Sequence, residues 1–194
     1  MVNGTTLGGG LTIQSGRTLS GSGTISGSVT IQSGGTLLPG TSPGLLEFGS
    51  GLTLDGGSVT SMEVVGTTRG TDYDAIDVTG ALTYGGSLTV NFANPVASTT
   101  TFNLFDFGSF TGDWSGITIA GAYSSTLTNT GSNWTGVDSG TGDTFTFSPS
   151  AGTLQVVPEP SAVALAGMAI IGLAYGARRA RRRAAEAGRP ACAA

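Results

Sequence analysis

Leu11-Thr-Ile-Gln-Ser-Gly16 returns eighteen residues later as Val29-Thr-Ile-Gln-Ser-Gly34, and that return decides the fold. The pair that follows recurs at the same shift, Thr18-Leu19 as Thr36-Leu37. Looser echoes are Leu52-Thr-Leu-Asp-Gly-Gly57 and Leu82-Thr-Tyr-Gly-Gly86, the latter running on into Ser87-Leu88-Thr89-Val90. Within each copy every second residue is apolar: Leu11/Ile13, Val29/Ile31, Leu52/Leu54, Leu88/Val90/Phe92. Period two marks half-buried strands with threonine and glutamine on the outer face. A glycine turn closes each copy.

A strand-and-turn unit this short cannot enclose a core alone. It can stack on its neighbours ~4.8 Å apart, each strand pairing with its equivalent in the next coil. The fold expected for residues 1–94 is therefore a parallel β-solenoid filled by columns of Leu, Ile and Val. An antiparallel sandwich also fits short strands with regular turns, but nearly identical repeats in register favour the solenoid. After Pro95 the aromatics gather: Phe102, Phe105, Phe107, Phe110, Trp114, Trp134, Phe145 and Phe147. Strands are expected at 101–107, 116–120, 144–147 and 152–157, with turns at 112–113 and 139–142. Residues 95–156 then form an aromatic-rich β cap, or small antiparallel unit, that shields the open edge of the last coil.

Charge is sparse and uneven. Before Pro158 ten acids face two bases, Arg17 and Arg69, a formal charge near −8, and there is no lysine or histidine. Such a body has no counterion-release term to offer a phosphate backbone, so nucleic acid is excluded as a partner. Residues 161–177 carry no charge at all, and five arginines (Arg178, Arg179, Arg181, Arg182, Arg183) follow at once. As a helix that run would be ~25 Å long, near the lower limit for crossing a bilayer core of ~30 Å. The arginines would hold their end on the cytoplasmic side and determine topology. One C-terminal transmembrane helix is thus expected, with everything before Pro158 outside. Gly172 and Gly176 lie at a spacing that allows helix pairing, although small residues are common in so alanine-rich a run. Cys192, the only cysteine, permits no internal disulfide.

The sequence Pro158-Glu159-Pro160, the apolar run and the arginines together resemble the PEP-CTERM protein-sorting signal. The resemblance implies recognition of the motif by an exosortase-type membrane transpeptidase and removal of the tail, residues 157–194, during export. Leu38-Pro-Gly-Thr-Ser-Pro-Gly44 and Thr71-Asp-Tyr-Asp-Ala-Ile-Asp-Val-Thr-Gly80 are similar to elements of autotransporter-associated β-strand repeats. That likeness, over roughly residues 7–92, implies a right-handed parallel β-helix stalk without catalysis. Residues 1–20 have neither a basic n-region nor an apolar h-region and do not read as a signal peptide. The expectation is that further chain precedes Met1.

Catalytic constellations are hard to find. Without histidine there is no Ser-His-Asp or Cys-His arrangement and there are few routes to zinc. Residues 21–27 are one residue too long for a dinucleotide fingerprint. Asp72 and Asp74 would share one face of a strand and Asp77 the other, which reads as solvated acids rather than a calcium loop. Arg69 beside them is the only hint of a polysaccharide lyase or hydrolase, and a fold alone licenses no activity. No catalytic, cofactor or metal site is assigned. The expected function is a non-enzymatic exported protein of the cell surface or extracellular matrix, structural or adhesive, with an extracellular polysaccharide as candidate partner. The alternatives are a carbohydrate-binding module that stacks sugars on Trp114 or Trp134 and a polysaccharide-active β-helix enzyme.

Overall fold

Alternating Leu/Ile/Val and Thr, punctuated by glycine, is drawn up in space as coils. The computed structural model describes residues 2–41, 43–97 and 99–159. The first coil holds β1 (Val2–Leu7), β2 (Leu11–Ile13) and the start of β3 (Thr18–Ile25). The second continues through the rest of β3, β4 (Val29–Ile31) and β5 (Thr36–Pro39). The third is β6 (Leu45–Phe48), β7 (Leu52–Leu54) and β8 (Val59–Val64). β9 (Ala75–Tyr84) and β10 (Ser87–Phe92) form the fourth. After an excursion through β11 (Thr100–Asn103), β12 (Phe105–Gly112) and β13 (Gly116–Gly121) form the last.

Every coil pairs in parallel with the next along three ladders. Leu11 opposes Val29, Val29 opposes Leu52 and Leu52 opposes Leu82. Ile25, Phe48, Val78 and Phe107 align in the same way on another ladder. The repeated glycine of the turn, Gly16, Gly34 and Gly57, has φ of 73°, 78° and 94°. Other residues rarely adopt that conformation, which is why the turn keeps its glycine. The shift grows beyond eighteen residues because extra chain enters at a single corner. Residues 40–44, 65–74 and 93–104 all lie between the third ladder of one coil and the first of the next.

On the third ladder Leu19, Leu37, Thr60, Leu88 and Ile117 form one interior column, all buried. Thr60 is fully buried and its hydroxyl has no hydrogen-bond partner. A buried polar group without a partner costs about 1–3 kcal/mol. Thr60→Val keeps the shape and removes the hydroxyl, so a gain of about 1 kcal/mol is expected, read as a higher urea midpoint at unchanged slope.

An antiparallel sheet closes the far end. β14 (Ser125–Asn129) pairs with β13, β15 (Trp134–Val137) with β14, β16 (Thr144–Ser148) with β15, and β17 (Thr153–Val157) with β16. β17 also pairs with β11 on its other edge. The inward residues Phe145, Phe147, Leu154 and Val156 are completely buried. Phe147 meets Tyr84 and Phe105 edge to face at 6.4 and 6.1 Å, and Phe145 meets Tyr123 at 4.9 Å. Edge-to-face contact at these distances is the favoured aromatic geometry.

The fold class requires correction. The described chain is all-β: no helix occurs among the described residues, and none there is long and apolar enough to cross a membrane. The expected transmembrane helix at 161–177, with Gly172 and Gly176, lies outside them. The parallel stack also passes the expected boundary at residue 94, because Phe105–Gly112 and Gly116–Gly121 join the earlier ladders. The single strand expected at 101–107 is two strands. It breaks at Leu104, whose amide bonds to the Gly152 carbonyl, so β11 serves the cap and β12 the stack.

Candidate functional site

β17 leads directly into Pro158. Proline lacks an amide donor and fixes φ, so a ladder ends where it begins; Val157, opposite Thr144, is the last residue of the β16–β17 ladder. Pro158 is half-buried and Glu159 exposed. Pro160 and the arginines Arg178, Arg179, Arg181, Arg182 and Arg183 lie outside the described residues.

The two tryptophans are core. Trp114 is 4% exposed and Trp134 7%. The indole of Trp134 donates to Asp113 (2.8 Å), which also accepts from the Trp114 amide and from Asn129. Trp114 packs against Tyr84 and Phe105. Neither ring presents a face to solvent, so the alternative of a sugar-stacking platform is ruled out.

Asp72, Asp74 and Asp77 do not converge. Asp72 accepts from Thr68 in a turn, and those hydrogen bonds hold its carboxyl below the usual range. Asp77 pairs with Arg69, whose Nε reaches the Asn103 carbonyl. Asp74 is buried beside a cavity of about 320 Å³ lined by Leu38, Pro39, Thr41 and Glu63. Its two oxygens accept from the amides of Gly44 (2.8 Å) and Glu63 (2.9 Å), tying the 40–44 corner to β8. Among the described residues no group of three or more acids, cysteines or histidines could hold a metal. Asp113 and Asp138 have roles that the sequence does not assign. Asp138 accepts from Ser124, Gly140 and Thr141, and these bonds hold its carboxyl low. Its only sequence signal is the turn-forming run Asp138-Ser-Gly-Thr.

Burial, reinforced by the charge of Glu63, pushes Asp74 from the ordinary 3.8 to about 6, against the lowering effect of its two amide partners. The folded chain therefore binds this proton more tightly than the unfolded chain. The resulting stability is complete below about 3.8 and is lost as pH rises through about 6. Asp74 alone should raise the thermal midpoint by a few °C between pH 7 and pH 5, at ~2–4 °C per kcal/mol for a chain of this size. Asp74→Ala should remove that increment from the profile.

With the fold in place, a single stretch carries a functional signature. Residues 156–183 match the PEP-CTERM protein-sorting motif. The match starts in β17, takes in Pro158 and Glu159, and runs on into residues outside the described ones. No curated protein and no solved structure matches the chain. The sorting motif implies recognition by an exosortase-type system, and suggests a secreted protein sorted to the cell surface.

Proposed function

We propose that the chain is a non-enzymatic surface or extracellular-matrix protein. Its stacked body is delivered through the C-terminal signal and has a structural or adhesive role. The observation that carries this reading is the sorting-motif match at residues 156–183, attached without a linker to a finished β body. Pro158, Glu159 and Pro160 are the recognition element. The arginines from Arg178 to Arg183 fix which side of the membrane the tail keeps, because arginine is costly to carry through a bilayer. The precursor is held at the membrane until an exosortase-type transpeptidase removes the tail.

Several features support a structural role for the body. It stacks parallel coils, as the likeness to autotransporter-associated repeats implies, and a five-threonine column (Thr12, Thr30, Thr53, Thr83, Thr111) runs along one ladder. The acids near Arg69 are engaged in holding corners together: Asp74 clamps amides and Asp77 pairs with Arg69. An exopolysaccharide is the partner class proposed for the outer faces.

Replacing Pro158, Glu159 and Pro160 together by alanine should leave full-length protein unprocessed in a host with an exosortase. Pulse-chase labelling with antibodies to the body and to the tail reads this out. Processing at the parental rate would remove the motif from the account.

A further inference from the structure

Resting on the sorting reading above, we infer that the cap gates processing: β17 must let go of its neighbours before an exosortase-type enzyme can engage the motif. Val157 opposes Thr144 and Val156 opposes both Phe145 and Thr100. The strand entering the motif is therefore hydrogen-bonded on both edges, as an inner strand of the cap. Its own Leu154 and Val156 are completely buried. At its start Gly152 has φ of 65°, and a Cβ there would collide with the Phe105 carbonyl, so the strand is seated closely at that end too.

Pro158 follows Val157 directly, and Pro160 is three residues on. Three extended residues reach at most ~11 Å. An enzyme that grips the chain around Pro158–Glu159–Pro160 must also take residues on the N-terminal side of the bond it cuts. Counted back from a cut at the motif, those residues run through Pro158 into Val157 and Val156, which are paired in β17. With the cap closed they are held in a sheet on both sides. Opening the end of β17 frees them, and local openings of this kind occur well below the free energy of global unfolding. Processing is accordingly slowed by whatever locks β17 and hastened by whatever spaces the motif away from it.

Two variants of the full chain separate this from the motif reading, both in a Cys192→Ala background. The first inserts six Gly/Ser residues between Val157 and Pro158. The second locks β17 to β16 through Thr146→Cys with Gln155→Cys, residues that oppose each other directly. Opposed Cβ atoms in an antiparallel pair are ~4.5–5.5 Å apart, close enough for a disulfide after small adjustment. Pulse-chase processing in the exosortase host should be several-fold faster with the insertion. It should be about tenfold slower with the disulfide and recover when reductant is added. If the triple-alanine motif variant is blocked while either variant matures at the parental rate, gating is overturned and the motif reading stands. If the triple-alanine variant itself matures at the parental rate, both fall.

Discussion

Leu37→Asp is expected to abolish folding, whereas Leu38→Asp, one residue further on, should cost no more than about 1 kcal/mol. Leu37 is fully buried in the column between Leu19 and Thr60, and Leu38 is 37% exposed. Side chains alternate across a strand, so adjacent residues meet opposite environments. An aspartate at 37 would be a charge without a partner, surrounded by Leu and Ile, which costs several kcal/mol even after relaxation. That is a large share of the 5–15 kcal/mol that holds a typical domain together. At 38 the same carboxylate reaches water at the cavity it would share with Glu63 and Asp74, so only a modest like-charge cost remains. Circular dichroism and urea titration of the two variants side by side should show one unfolded chain and one close to the parent. Similar behaviour of the two would mean that the register of the stack is wrong.

Phe147→Ala should cost about 3–5 kcal/mol, the range for removing a buried aromatic ring. Phe147 sits in the cap strand β16 but reaches Tyr84 of the fourth coil and Phe105 of the fifth. Its removal opens a cavity at the junction of cap and stack, with Trp134 opposite it on β15. The loss should appear as a lower urea midpoint. Tryptophan fluorescence should also shift to the red as water reaches Trp114 and Trp134, which Asp113 and the ring cluster otherwise keep dry. Val137→Ala, on a residue 58% exposed, is the control and should be near neutral.

The stack was legible because its information is local. Leu11 and Ile13 announce their own burial by alternation, and the repetition of the same words at Val29 and Ile31 announces the neighbour each will pair with. Pro158 was legible for a similar reason, since a proline ends a ladder wherever it stands. The cap was harder. Leu104 interrupts an alternating aromatic run only because its amide is taken by Gly152, forty-eight residues away in sequence. The roles of Asp113 and Trp134 depend on a contact across twenty-one residues that no pattern around either one signals. Two tryptophans in a β cap read first as core, and the tertiary fold places both indoles there. Asp74 likewise reads as a solvated strand acid until the 40–44 corner folds over it. Residues 65–74 and 93–104 disguise the coil period by lengthening it at one corner, which weakens the repeat signal in the later coils.

The central claim is that the body is released from its C-terminal signal, and the mass of the mature protein tests it most directly. The protein should be purified from the surface or medium of a host that carries an exosortase, and its intact mass and C-terminal peptide determined. The expected result is a chain that ends within residues 156–183 and lacks the arginine cluster and Cys192. A surface protein that retains every residue through Ala194 would contradict the account.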